Sequence, residues 1–287
     1  MTVERYLAPR NLDEALEALR AGDATILAGG TDVMPQSESG KLPLRRTLVN
    51  VRRVSELTGI VLAKNEVRIG ALTTISELMA NPLIAKFFPM LVEAGDHFAS
   101  EQIRNIATLG GNVCNASPAG DTLVPLLALD ASVELAAKPN GSVETRATPL
   151  ASFLAGPGKT HREPGELLVA VRIPLPPADH VQRFYKFGTR PALDISAIAI
   201  GLAAVKAKGV LSHVRLAYGA VAPVPMRGSH AEAVLEGKKL DPALIEQAAQ
   251  AARDEIKPIS DVRASDWYRR ELVHNIVKRM LADVHES

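Results

Sequence analysis

The chain has 287 residues, and at about 150 residues per domain that length sets an expectation of two domains. Its 33 basic and 32 acidic residues leave a net charge of +1, without the basic surplus that nucleic-acid binders gather into a stripe. The single cysteine, Cys114, excludes an intrachain disulfide and any four-thiolate zinc or iron–sulfur site, while 47% hydrophobic and 23% charged residues suffice for a globular core.

The first predicted element is a helix. Asn11, with Glu14 three residues on, has the form of a capping pair. Leu12, Ala15, Leu16 and Leu19 repeat at helical spacing, and Gly22 stops the run. A short apolar strand, Thr25 to Ala28, leads directly into Gly29-Gly30, and strand-like runs follow at 47–51 and 67–69. Thr74 and Glu77 cap another helix ending near Asn81-Pro82, and Phe87 to Phe98 is predicted as one helix. Gln102 to Leu109 enters a second glycine pair, Gly110-Gly111, as a strand-like run. Asp121 is predicted to cap a helix through Leu129, with Pro125 inside its tolerant first turn.

Beyond Leu129 the period changes from helical to alternating. Runs at 132–136 and 143–148 flank Pro139-Asn140-Gly141, and Asn-Gly between such runs is a strong hairpin signal. Glu166 to Ile173 alternates like a strand and closes on Pro174-Leu175-Pro176-Pro177. Proline cannot continue a ladder, so the chain divides here into an α+β domain of residues 1–176 and a smaller domain of residues 177–287. Three strands are predicted in the second part, at 181–187, 196–206 and 210–222, then helices at 231–235, 242–255 and 265–283. The composition of 196–206 also suits a helix; the turn signal Lys208-Gly209 decides for a strand. The longest stretch of this half free of charge and proline, Ile195 to Val205, is too short to span a bilayer. The opening MTVERYLAPR has no apolar signal core, so a cytoplasmic protein with nothing cleaved is expected.

The chemistry is expected in Gly29-Gly30-Thr31-Asp32 and in Thr108-Leu109-Gly110-Gly111-Asn112. Glycine allows positive φ and close approach of a ligand to the main chain, and consecutive amides in such turns form a nest for phosphate oxygens. Two such loops facing one another would clamp a pyrophosphate without a lysine or a helix dipole; taken alone, each pair reads as a tight turn. Neither matches the Rossmann or Walker pattern. The seven histidines have no metal-ligand spacing and there is no nucleophile elbow. Arg269-Arg270 beside Trp267-Tyr268 reads as a helix surface at an interface.

The segment ILAGGTDVMP at 26–35, followed by IRNIATLGGNVCNASPAGDTLVPLLALDA at 103–131, resembles the FAD-binding medium subunits of the molybdenum hydroxylases, the family of the xanthine and carbon monoxide dehydrogenases. GELLVAVRIPLP at 165–176, FYKFGTRPALDISAIAI at 184–200 and VRASDWYRRELV at 262–273 extend the resemblance over nearly the whole chain. It implies a vanillyl-alcohol-oxidase/MurB-type (PCMH) FAD-binding domain, then a CO dehydrogenase flavoprotein-like domain with a three-stranded antiparallel sheet and helices. It implies that Ile26, Leu27, Ala28, Gly29, Gly30, Thr31, Asp32 and Val33 wrap the pyrophosphate and ribityl of FAD. Further contacts are carried over to Thr108, Gly110, Gly111, Asn112, Asn115 and Asp121, an aromatic position near the cofactor to Phe98, and positions close to the flavin or adenine to Leu168 and Lys186. Read from their own surroundings, Leu168 suits a strand core, and Lys186 suits a solvated edge as well as a cofactor contact.

The resemblance also implies an electron-transfer subunit. An aldehyde, purine or N-heterocycle would be oxidised at a molybdenum cofactor in a large partner subunit. Electrons would pass two 2Fe-2S clusters of a small partner subunit to FAD here, then leave to NAD+, a quinone or O2, within a dimer of heterotrimers. No catalytic residue, metal ligand, nucleic acid or membrane span is expected in this chain, and neither His97 nor Cys114 is expected to attach flavin covalently. With Cys114 alone and no cysteine-bearing insertion, the extra cluster of the 4-hydroxybenzoyl-CoA reductases is excluded. The alternatives are a self-sufficient flavin oxidoreductase with its own substrate pocket and an interaction subunit that has lost FAD; the intact glycine loops stand against the second.

Overall fold

A computed structural model of the chain describes residues 3–190 and 193–286. Met1, Thr2 and Ser287, and Pro191 and Ala192 of the 184–200 signature, lie outside the described residues. Strands β1 (Arg5–Leu7), β2 (Ala24–Leu27) and β3 (Thr47–Asn50) form a parallel sheet in the order β1-β3-β2. Helix α1 (Leu12–Leu19) connects the first two. Asn11 caps it as expected, its side chain accepting from the Glu14 amide at 2.8 Å while Glu14 reaches back to the Arg10 amide. Helix α2 (Val33–Glu38) follows β2.

The second sheet is antiparallel and has the order β4-β5-β10-β6-β7. Its strands are β4 (Ile60–Leu62), β5 (Glu66–Gly70), β6 (Ser132–Ala137), β7 (Glu144–Pro149) and β10 (Leu167–Pro174). The Asn140-Gly141 turn joins β6 to β7, with Gly141 at φ +82°. Between β5 and β6 the chain makes α3 (Ile75–Ala80), α4 (Pro82–Phe87), α5 (Pro89–Asp96), α6 (Glu101–Arg104), α7 (Leu109–Asn115) and α8 (Leu123–Ala128). A turn of helix, α9 (Leu150–Phe153), and a small hairpin, β8 (Leu154–Gly156) and β9 (Lys159–Thr160), precede β10.

Two expectations for this segment are corrected. Phe87 to Phe98 is not one helix, because Pro89 cannot donate into a running helix and restarts it as the first residue of α5. Asp121 does not cap α8: Thr122 occupies the cap position without a side-chain bond, and the Asp121 carboxylate turns away to Lys186 and Ser196.

The remaining strands, β11 (His180–Phe187), β12 (Ile198–Ala207), β13 (Val210–Gly219) and the two-residue β14 (Met226–Arg227), form an antiparallel sheet in chain order. The three expected strands are there, with β14 added at the edge. Helices α10 (Ser229–Leu235), α11 (Pro242–Glu255) and α12 (Asp266–Glu286) cover one face. Ile198, Ile200, Leu202 and Ala204 of β12 enter the core beneath those helices. The alternate residues Ala199, Gly201 and Ala203 face the first unit, where a side chain on Gly201 would meet Met90 Sδ at 3.1 Å and Val124 Cγ1 at 3.2 Å. Small residues on that face let α5 and α8 lie directly on the sheet. Burial on both faces explains why 196–206 is nearly all apolar and reads poorly as strand or helix.

Arg269 is also placed differently from the surface expected. It is 2% exposed, and its guanidinium donates to the carbonyls of Ala197 and Ala220 and to Asp261, fastening α12 to the ends of β12 and β13. Trp267 on the same helix is exposed. No helix among the described residues is long and apolar enough to cross a membrane.

Candidate cofactor-binding site

Strand β2 is an edge strand, and its last ladder bond runs from the Val51 amide to the Leu27 carbonyl at 3.0 Å. The chain then turns through Gly30, at φ +79°, into α2, whose first bond joins the Met34 amide to the Gly30 carbonyl. Between these points none of the main-chain amides of residues 28–33 donates to an acceptor within the described residues. A run of unpaired donors in a turn of this kind is a concave, partly positive surface, and amides left so normally have a partner supplied from outside the chain.

The second glycine pair is built differently from the strand-and-turn expected. Thr108, extended at φ −106° and ψ 151°, is the cap of α7, its hydroxyl oxygen accepting from the Gly111 amide at 3.0 Å. Gly110 and Gly111 therefore lie in the first turn of a helix. The Leu109 amide donates to the Thr73 carbonyl and the Gly110 amide to the Ala71 carbonyl, both at 2.9 Å, so this loop has no free amide row. What it offers is an open face and side chains. A Cβ on Gly111 would meet only Thr108 Oγ1, at 2.8 Å, and otherwise open space. Buried Asn112 accepts from Thr122 Oγ1 at 2.6 Å, which orients its amide and leaves Nδ2 without an acceptor among the described residues. The two loops are tied together by Gln36 Nε2 donating to Asn115 Oδ1 at 3.0 Å.

Both loops border one cavity of about 630 Å³, within the usual range of ligand pockets, ~300–1,000 Å³. Ile26, Ala28, Gly29, Gly30, Thr31, Asp32, Val33, Phe98, Thr108, Gly110, Gly111, Asn112, Asn115 and Leu168 all line it. Leu168 is at once a cavity wall and a core residue, 4% exposed. Leu27, Asp121 and Lys186 do not line this cavity. Leu27 alternates with its lining neighbours Ile26 and Ala28, as period-2 geometry requires.

Asp121 and Lys186 pair with each other. Lys186 Nζ donates to Asp121 Oδ2 at 2.7 Å and to the His97 carbonyl at 2.9 Å, while Ser196 donates to Asp121 Oδ1. The two side chains are 11% and 6% exposed, so Lys186 is not at a solvated edge. Burial pushes the Asp121 carboxyl upward, and the Lys186 ammonium opposes it. Lys186 lines a second cavity of about 350 Å³ with His97 and residues 187–190, 193 and 194. His97 of this cavity and Phe98 of the larger one are consecutive residues just beyond α5.

Cys114 borders the first cavity, where burial pushes its thiol up to about 11; a neutral thiol of that kind is a weak nucleophile. Among the described residues no group of three or more His, Cys, Asp or Glu is placed to hold a metal ion. Among the lining residues that sequence reasoning missed are Leu42–Arg45, Ala71-Leu72, Gly158 and Thr160 of the β8–β9 hairpin, and Arg162 just after it. None of these carries a local signature, because only the fold brings them to the glycine loops.

Residues 2–176 match the family model described as the FAD binding domain in molybdopterin dehydrogenase, and residues 183–284 match the CO dehydrogenase flavoprotein C-terminal domain. The chain is similar to the xanthine dehydrogenase FAD-binding subunit of Escherichia coli O157:H7, with 35% identity over 262 residues, 91% of this chain and 88% of that one. It is similar to the glyceraldehyde dehydrogenase medium chain of Sulfolobus acidocaldarius, with 33% identity covering 97% of both. Its fold superposes on carbon monoxide dehydrogenase from Hydrogenophaga pseudoflava with a TM-score of 0.90 at 31% identity, covering 97% of this chain and 96% of that one.

Proposed function

The chain belongs to the family of FAD-binding medium subunits of the molybdopterin dehydrogenases, and from that premise we propose that it is the electron-transfer subunit of a three-chain molybdenum hydroxylase. Its FAD-binding unit is residues 1–176 and its second unit residues 177–287. The observation that carries the reading is the row of unpaired amides at residues 28–33 lining the same cavity as the open face of Gly111. The donor set fits a flavin dinucleotide: main-chain amides suit phosphate oxygens, Thr108, Asn112 and Asn115 suit hydroxyls, and Phe98, Leu72 and Leu168 suit an apolar ring.

When bound, FAD supplies the redox chemistry, taking up electrons singly and giving them up in pairs. The chain's own residues bind and orient. Gly30 turns the amides inward, Thr108 and Asn112 fix hydroxyl positions, and Leu72, Leu167 and Leu168 keep water from the apolar wall. The Asp121–Lys186 pair reaches from the segment before α8 to β11, so it fixes the second unit against the first beside the smaller cavity.

In this reading the molybdenum cofactor belongs to a large partner subunit and two 2Fe-2S clusters to a small one, with two heterotrimers in the assembly. The relatives support it, being named medium chains and FAD-binding subunits of aldehyde, xanthine and carbon monoxide dehydrogenases. Expression together with the neighbouring reading frames, then affinity purification read by absorbance and metal analysis, tests it. The expected result is co-purification with a molybdenum chain and an iron–sulfur chain, at about one FAD per copy. A yellow chain that purifies alone and turns over a substrate would refute the relay.

A further inference from the structure

Resting on the FAD reading above, we propose that Arg162 is the cation that pairs with the phosphate oxygens of the flavin nucleotide. Two cationic side chains line the larger cavity, Arg45 and Arg162. Arg45 is 66% exposed and has Asp23 at 4.0 Å, which leaves it largely to solvent. Arg162 is half-buried and held by main-chain carbonyls alone, its Nη1 donating to Glu166 O at 2.7 Å and to Glu163 O at 3.4 Å. Nε and Nη2 donate to no acceptor among the described residues, and no carboxylate there forms an ion pair with the guanidinium.

Of the acids nearby, Glu166 feels the Arg162 charge but makes its side-chain bonds to other partners. The Glu166 carboxylate is engaged from both sides by Arg146, at 2.5 Å and 2.8 Å. Asp32, the acid lining the same cavity, has its carboxyl pushed up by burial with no cation opposing the effect. Arg162 is thus not the counter-charge of Asp32. Its place is fixed through the hairpin, since the Gly158 amide donates to the Ala116 carbonyl just beyond α7 at 3.2 Å. The result is a guanidinium with an open edge and the free amides of residues 28–33 bordering one cavity.

Those two donor sets together call for an anion, because an amide row and an unpaired guanidinium are both acceptor-seeking and a guanidinium matches a phosphate edge with two parallel bonds. The oxidised isoalloxazine ring is neutral and the diphosphate carries the full negative charge of the ligand, so the phosphates are the part that an amide row together with Arg162 matches.

The test uses the full chain stripped of flavin, with FAD, ADP and riboflavin as probes in a titration read by fluorescence and by thermal shift. Loss of one charge-assisted bond predicts that Arg162→Ala weakens FAD and ADP by on the order of 10- to 100-fold while riboflavin changes by less than about twofold. Arg162→Lys, which keeps the charge but not the fork, is expected to fall between. Because Arg162 also braces two carbonyls, Arg162→Gln provides the check if the alanine variant folds poorly. Wild-type FAD affinity is expected to fall as salt screens the pair, and the glutamine variant to lose that slope. FAD and ADP affinities within twofold of wild type in these variants, or an equal loss for riboflavin, would overturn the assignment. A wild-type chain that binds neither FAD nor ADP would overturn the FAD reading itself.

Discussion

The adjacent glycines of the second loop make opposite demands, and substituting each by alanine separates them. At Gly110 a Cβ would lie 2.7 Å from Ala71 Cβ and 2.8 Å from the Ala71 carbonyl oxygen, which accepts the Gly110 amide at 2.9 Å. Carbon pairs rest at about 3.5–4.0 Å, so α7 and the end of β5 must part by about 1 Å. Overpacking of that kind costs ~1–3 kcal/mol, and stretching the amide bond removes about 1 kcal/mol more. Better helix propensity returns ~1 kcal/mol. The net expectation for Gly110→Ala is a destabilisation of about 1–3 kcal/mol in the flavin-free chain. At Gly111 the added methyl meets only the Thr108 hydroxyl, so Gly111→Ala is expected to move the flavin-free stability by less than about 1 kcal/mol. Its loss is expected instead in the stabilisation that added FAD provides, and Gly111→Val should deepen that loss. Urea unfolding midpoints with and without FAD read both effects. A Gly110→Ala chain as stable as wild type, or a Gly111→Val chain that folds and keeps full FAD, would refute this division of labour.

Four further outcomes are expected. Lys186→Met leaves the Asp121 carboxylate with Ser196 as its remaining partner in a buried site and should cost ~3–5 kcal/mol. Adding Asp121→Asn should recover part of that loss in a denaturation cycle. Burial would raise the Asp261 carboxyl, but the amides of Arg263 and Ala264 and the Arg269 guanidinium hold it down to about 2. Its folded value lies below its ordinary 3.8, so its stabilisation is present above that pH and is lost as pH falls toward 2. Asp261→Asn should therefore flatten the acid limb of a thermal-melt series below pH 4. With its thiol pushed up to about 11, Cys114 should resist iodoacetamide at pH 8 in the folded chain and react on unfolding. Acid precipitation should leave all flavin in the supernatant.

Local chemistry was legible where one short segment decides the structure. Asn11 and Thr74 act as their sequence contexts predict, Asn140-Gly141 turns a hairpin, and Gly29-Gly30 follows a strand. Misreading came where a partner distant in the chain decides. Glycine is a poor helix former, so Gly110-Gly111 read as a turn. The helix stands because Thr108 supplies the cap while Ala71 and Thr73 take the first amides. Asp121 sits where a cap would be, yet Lys186 and Ser196, far along the chain, claim its carboxylate. Arg162 had no motif at all, since its meaning depends on which acids nearby are already engaged.

The order of strands in the antiparallel sheet has a consequence for how the protein comes into being. Ala170 of β10 lies opposite Gly70 on one side and Glu134 on the other, so the last strand of the unit is wedged between two made much earlier. Long-range closure of this sort is slow, because chain entropy is lost before the contacts reward it. A nascent chain that has not yet released Pro174 holds β5 and β6 apart with bare edges, the kind of template on which aggregation begins. It also lacks Leu167 and Leu168, and with them one wall of the cavity. The cavity wall that carries Leu167 and Leu168 is thus complete only once β10 has paired with both of its neighbours.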